Sequence, residues 1–329
     1  MKGQRRWSGR FLHHNTHDLL NLKPGVFSLD RFREKRWCYT GIIHPEIIFG
    51  CAVIHLGYIA GAFVFAFDRA QKKMKEYSFA CPPFGQARHD RSPENGICSY
   101  KSLCGELVLK HCKKNGKRFI KAEFTKPGRV LTADIEITDP ENSPSPVHFL
   151  METENSQNAV TTKTAGLKAE GMISVNRKNF RLDPENTFAV FDWTNGFFPR
   201  QTFWNWACGA GFSEDGTKVA FNFSRGVYEK GLLENIIWIN GIPHETGQII
   251  FSYDSKNPDR QWHITCADRS VDLVFTPEGM RRASENFGII QSSFIQPCGT
   301  FSGVIKIQNS SPCYLTCTGG VVEEHYARW

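Results

Sequence analysis

Apolar residues at helical spacing are almost missing from this sequence of 329 residues. Only 279–286 (GMRRASEN) and parts of the first forty residues suggest a turn or two of helix. That excludes a parallel α/β sheet, whose strands need crossover helices. There is no CxxC; Cys98/Cys104 and Cys313/Cys317 lie close together without the paired spacing of a zinc knuckle. The eleven cysteines are odd in number and irregularly spaced, so a complete set of intrachain bridges is impossible. Free thiols in a reducing compartment are expected, and the cytoplasm is the expected location. The start, MKGQRRW, has no apolar stretch of the kind a secretory leader carries, so no leader is expected.

Nucleotide and nucleophile signatures are lacking as well. Gly209-Ala-Gly211 with Gly216 is followed by no helical pattern, as a dinucleotide fingerprint requires. Gly299-Thr-Phe-Ser302-Gly303 is one residue out of register for a nucleophile elbow, and its context is strand–strand. His13, His14 and His17 have no carboxylate pattern beside them and read as surface histidines. Neither a metal nor a cofactor is called for by any of these motifs.

The net charge of +7 is local. Residues 1–40 carry nine Lys/Arg against Asp18, Asp30 and Glu34, which leaves the remaining 289 residues near neutral. A nucleic-acid partner would need a basic face on the body, and none is visible. The arm, set at residues 1–45, is interrupted by Trp7, Phe11, Leu19, Leu20, Phe27 and Trp37. It therefore reads as a strap wrapping the body, with contact to an anionic membrane surface as the less favoured alternative.

What the sequence has is alternation. Residues 47–67, IIFGCAVIHLGYIAGAFVFAF, contain no formal charge and are long enough to span a membrane as a helix. Yet Phe63, Phe65 and Phe67 alternate with Ala62, Val64 and Ala66, the large/small period of two that suits a barrel strand. Gly57-Tyr58 near the middle splits the run into two strands. The same period recurs at Leu131/Ala133/Ile135/Ile137, Val219/Phe221/Phe223 and Val271/Leu273/Phe275. Turn dipeptides Asn95-Gly96, Asn115-Gly116, Asn195-Gly196, Asp215-Gly216 and Asn240-Gly241 are expected to close hairpins. Closely spaced strands without helices give an all-β chain of meandering barrels or sandwiches. The polar stretch 139–158 places the domain boundary near residue 165, between a first barrel at 46–165 and a second at 166–329.

The densest unusual cluster is 190–206. It sets Asp192, Arg200 and Thr202 among Phe191, Trp193, Phe197, Phe198, Phe203, Trp204 and Trp206. Such aromatic density makes either a pocket wall for an apolar ligand or an inter-barrel core clamped by an Asp192–Arg200 pair. Asn222 between two phenylalanines, and Glu234-Asn235 after a Leu pair, are polar groups that need satisfaction if they face an interior. At the C-terminus, Glu323, Glu324 and His325 precede Tyr326-Ala-Arg-Trp329. A carboxylate beside an imidazole can serve acid–base chemistry, though a terminal strand ending in Trp more often simply docks and pairs its charges.

These segments also carry a resemblance. Asp192-Trp-Thr-x-Gly196, Pro199-Arg-x-Thr202-x-Trp204-x-Trp206, Gln296-x-x-Gly299-x-Phe-x-Gly303 and the ending Gly320-Val-Val-Glu323-x-His325-Tyr-Ala-Arg-Trp329 resemble the bacterial family called domain of unknown function 2804. That family is similar to lipocalin/calycin-type two-barrel proteins, which include carotenoid hydratases, tocopherol cyclase and pericyclase-like enzymes. The resemblance implies two tandem lipocalin-like antiparallel β-barrels with a pocket in or between them, and an apolar, lipid or isoprenoid-like small molecule as partner. In an enzyme that hydrates, isomerises or cyclises such a ligand, Asp192 or Glu234 would be the acid. Arg200 and Asn222 would orient the ligand, and Trp193, Trp204 and Trp206 would form the walls. The rival readings are a non-catalytic lipid or pigment carrier and a peripheral membrane protein that uses the basic arm. A carboxyl group with a raised pKa in the pocket would favour the enzyme; a wholly apolar lining would favour the carrier.

Overall fold

A computed structural model describes residues 32–138, 144, 146–152, 158–226, 233–286, 288–308 and 310–329. Residues 1–31, most of the basic arm, lie outside the described residues, as does most of the polar break at 139–158. The first sheet opens with β1 (Glu34–Ile43), β2 (Ile47–His55), β3 (Ala60–Asp68) and β4 (Lys73–Cys81). It continues through β5 (Ala87–Arg88), β6 (Asn95–Ser102), β7 (Gly105–Cys112), β8 (Lys117–Lys126) and β9 (Arg129–Thr138). It closes with β10 (Val147–Glu152), β11 (Asn158–Val175), β12 (Lys178–Leu182) and β13 (Phe188–Phe197). The second holds β14 (Gln201–Phe212), β15 (Lys218–Arg225), β16 (Ile236–Ile239), β17 (Ile242–Glu245) and β18 (Ile249–Ser252). After these come β19 (Trp262–Cys266), β20 (Val271–Asn286), β21 (Gln291–Ile305) and β22 (Cys313–Arg328).

Every pairing is antiparallel. The first sheet runs β4-β3-β2-β1-β13-β11-β9-β8-β7-β6-β5, with β10 and β12 paired to β11. The second runs β17-β16-β15-β14-β22-β21-β20-β19-β18. Each curls until its ends approach, β5 and β6 against β2 in the first and β15 against β18 in the second. The result is all-β, with two antiparallel barrel-like sheets.

Alternation along the strands sorts the apolar residues into three cores. Cys38, Ile42, Val64, Phe191 and Trp193 fill the first barrel. Phe221, Trp262, Phe275 and Phe301 fill the second. A third core lies between them, where Tyr39, Phe65, Phe67 and Val190 meet Trp206, Cys208, Trp238 and Val321. Strands β1, β2, β3 and β13 are therefore buried on both faces, one toward a barrel interior and one toward the seam. This explains the apolar run at 47–67: β2 and β3 form a hairpin with no solvent face, turned at Gly57 (φ 87°). Among the described residues no helix is long and apolar enough to cross a membrane.

Four local expectations are corrected. The expected boundary near 165 falls inside β11, and the sheets change over between Phe197 and Gln201 instead. A polar stretch marks a loop but not the end of a sheet, because β11 returns to pair with β9 and β13. Residues 279–286 are strand, not helix: fifteen residues of β20 pair along β21, and that ladder outweighs local propensity. Asn95-Gly96 and Asn195-Gly196 lie within strands, whereas Asn115-Gly116, Asp215-Gly216 and Asn240-Gly241 close hairpins with positive-φ glycines.

Gly50 shows how tightly the seam is drawn. A Cβ there would stand 2.3 Å from the Phe65 ring and 2.8 Å from the Tyr39 hydroxyl. Replacing Gly50 by Val should overpack this contact and cost about 1–3 kcal/mol of stability. Urea denaturation reads the loss, and an unchanged midpoint would show that β2 and β3 are not clamped there.

Candidate functional site

The seam holds a cavity of about 250 Å³. Its walls are aromatic. Trp37 on β1 stacks with Trp204 on β14, with centroids 6.4 Å apart and planes at 15°. Phe198 lies 5.2 Å from Trp37, and Tyr39 meets Trp206 edge-on at 5.7 Å. Trp37 and Tyr39 share a face of β1, as Trp204 and Trp206 share a face of β14, because they are two residues apart. Two polar groups interrupt these walls.

The first is built on Lys163. β11 and β13 pair so that Lys163 stands directly opposite Asp192, and its ammonium lies 2.7 Å from Asp192 Oδ1. Glu234, just ahead of β16, approaches the same ammonium at 3.7 Å. All three line the cavity, and Lys163 and Glu234 are buried. Burial alone would lower the Lys163 pKa, but Asp192 and Glu234 outweigh it and raise it, so the lysine stays charged. Glu234 moves the other way. Burial pushes its carboxyl up to about 7, against the opposing pull of Lys163 and with help from the Asp192 charge. One ammonium between two carboxylates thus leaves a proton that is exchangeable near neutrality.

The second polar group centres on Glu323 of β22. Trp204 Nε1 donates to Oε1 at 2.9 Å and Gln296 Nε2 to Oε2 at 2.7 Å, while His325 Nδ1 stands 3.7 Å from Oε1. Burial alone would raise the Glu323 pKa; His325, Trp204 and Arg281 outweigh it and hold the carboxylate low. Arg281 on β20 is buried, donates to Gln296 and Glu76, and lies over the Phe63 and Phe65 rings at 4.2 and 4.5 Å. Ser292 Oγ lies 3.0 Å from His325 Nε2.

Of the residues read from the sequence, Asp192, Glu234, Trp204 and Trp206 come together around the cavity. Trp193 does not: it follows Asp192 on one strand, so it faces the first-barrel interior opposite Cys38, and its Nε1 has no hydrogen-bond partner among the described residues. Arg200 does not clamp Asp192; it is exposed and donates to the Ile289 carbonyl at 2.6 Å. Asn222 sits behind the wall, accepting from Trp206 Nε1 at 2.8 Å and donating to the Glu234 carbonyl at 2.7 Å. It orients an indole and the loop that bears Glu234. Sequence reading missed Lys163, Arg281 and Ser292. Only the run Thr161-Thr162-Lys163-Thr164, polar on both faces of a strand, hinted at the lysine.

A possible set of metal donors lies elsewhere. Cys38, Cys98 and His111, all buried in the first barrel, bring their donor atoms within 4.8 Å of one another. Arg118 Nη1 stands 3.4 Å from His111 Nδ1, and His111 Nε2 lies 3.4 Å from Cys38 Sγ. Burial pushes the Cys38 thiol up, away from the thiolate a metal would need, and the Arg118 guanidinium beside His111 opposes a divalent cation. The trio fits a hydrogen-bonded cluster better than a metal centre.

The chain belongs to the family described as domain of unknown function (DUF2804), whose model matches residues 6–329. No curated protein sequence matches it. Among solved structures it is similar to kievitone hydratase from Nectria haematococca, with a TM-score of 0.51 and 13% identity over 97% of this chain and 98% of that one. An AttH-type protein from Nitrosomonas europaea matches at a TM-score of 0.49 and 13% identity, over 91% and 93% of the two chains. At 13% identity the likeness to kievitone hydratase speaks for the fold alone.

Lys163→Met should leave two buried carboxylates facing each other without a cation, at a cost of about 3–5 kcal/mol. Glu234, already raised by burial, would lose the pull of the ammonium and rise further, so the folded state would hold more protons than the unfolded one and stability would fall as pH rises. The urea midpoint should therefore drop more at pH 8 than at pH 5; an equal drop at both would contradict the shared-ammonium arrangement.

Proposed function

We propose that this member of the DUF2804 family binds a neutral apolar small molecule in the seam and protonates it from Glu234, in a hydration, isomerisation or cyclisation. The observation that carries the reading is Glu234 itself. It is a buried carboxyl raised to about 7, opening onto aromatic walls and held beside Lys163. A general acid works best when its pKa lies near the working pH, and burial is how a carboxyl gets there. The flat indoles of Trp37, Trp204 and Trp206 suit an isoprenoid or polyene surface, and a cation developing on such a substrate would be stabilised over their faces. Lys163 and Asp192 keep the proton site poised: the ammonium draws Glu234 down while the second carboxylate pushes it up. A simple carrier needs none of these charges, and burying them is costly. The kievitone hydratase likeness fits a hydratase but contributes only its fold.

Trp204→Ala removes one face of the stacked pair and should weaken binding of an apolar fluorescent probe at least about ten-fold, a loss of about 1.4 kcal/mol. The comparison uses protein shown to be folded by its denaturation midpoint. Incubated in deuterium oxide with neutral isoprenoids and polyenes, the native protein should place deuterium on carbon, and Glu234→Gln should not. Unchanged probe affinity in Trp204→Ala, or equal deuteration by Glu234→Gln, would overturn the reading.

A further inference from the structure

The second polar group of the cavity is not needed for protonation by Glu234, yet it is organised for a chemistry of its own. On β22, Glu323 and His325 lie two residues apart and share one face; on β21, Ser292, Phe294 and Gln296 share the matching face. Pairing sets Phe294 opposite His325 and Ser292 opposite Ala327, so the serine sits diagonally beside the imidazole. Its Oγ is 3.0 Å from His325 Nε2, and Nδ1 of the same ring is 3.7 Å from Glu323 Oε1. Trp204 and Gln296 hold that carboxylate from two further directions. The imidazole is steadied by Trp204, 4.1 Å between ring centroids. Hydroxyl, imidazole and carboxylate stand in the order by which a serine oxygen is made nucleophilic, and such groups are recognised by geometry rather than by sequence position. That is why no elbow motif announces them.

We propose that Ser292 is an acyl-accepting nucleophile, activated by His325 and Glu323, and that the pocket cleaves neutral carboxylic esters with an apolar acyl or alcohol part. Ser292 Oγ forms a bond to the ester carbonyl carbon as its proton passes to His325 Nε2. The bond from that carbon to the alcohol oxygen breaks, and the same proton leaves with the alcohol. Water then attacks the acyl-serine, giving its proton to His325; the acid departs, and the proton returns to Ser292. Glu323 touches no reacting atom and acts as a positioning residue, holding the tautomer in which Nδ1 carries the proton. The aromatic walls select esters without charge near the carbonyl.

The test uses the whole chain with a fluorophosphonate probe and with p-nitrophenyl butyrate, read by peptide mass spectrometry and by p-nitrophenolate release. One adduct per chain is expected, on the peptide bearing Ser292. Ser292→Ala should abolish it, and Ser292→Cys should move the butyryl group onto sulfur. His325→Asn should slow labelling about 10²–10⁴-fold, the usual worth of a positioned general base. Glu323→Gln should slow the p-nitrophenolate burst while leaving its amplitude at one per chain; a merely structural role would cut the amplitude instead. An adduct on another residue, no adduct at all, or a burst that persists in Ser292→Ala would overturn the proposal. None of these readouts depends on Glu234, so the two reactions stand or fall separately.

Discussion

One buried ammonium organises the centre of the molecule. Lys163 Nζ lies 2.7 Å from Asp192 and 3.7 Å from Glu234, in a cavity whose other boundaries are chiefly indole, phenol and phenyl rings. Three charges in such surroundings carry a large desolvation cost, which their mutual attraction offsets only in good geometry. The ladder between β11 and β13 supplies that geometry by setting Lys163 and Asp192 directly opposite each other. Glu234 belongs to the second half of the chain. The ion cluster therefore joins the two barrels as well as setting the proton affinity of the site, and Asn222 ties the Glu234 backbone to the Trp206 wall.

The remaining architecture follows from strands that lack a solvent face. β1, β2, β3 and β13 serve a barrel interior on one side and the seam on the other, so their sequences carry two apolar patterns interleaved. Close approach between the sheets depends on missing side chains. A Cβ on Gly279 of β20 would stand 2.2 Å from the Phe67 ring on β3, so a strand of the second sheet is packed directly onto the first. Arg281, two residues further along β20, lines the cavity instead, with its guanidinium over phenyl rings and a hydrogen bond to Gln296.

Much of the fold was legible because period two is strong evidence for a strand. The Phe/Ala alternation at 62–67 identified β3 despite its membrane-like hydropathy. The same period, applied strictly, separates Asp192 from Trp193, since neighbours on a strand face opposite ways; density of aromatics alone obscured that distinction. Lys163 and Ser292 were not legible, because a lone Lys among threonines and a Ser among serines have no pattern. What brings them to the site is register between strands far apart in sequence. The changeover between sheets was hidden for a related reason: β11 and β13 complete the first barrel after the polar stretch that looks like its end.

Protonation of substrate from the seam requires a buried carboxyl that exchanges its proton near neutrality, and infrared difference spectroscopy sees such a group directly. The native-minus-Glu234→Gln spectrum should show the carbonyl band of a protonated carboxylic acid that disappears with a midpoint near pH 7. A difference band titrating in the ordinary carboxylate range, or none at all, would contradict it.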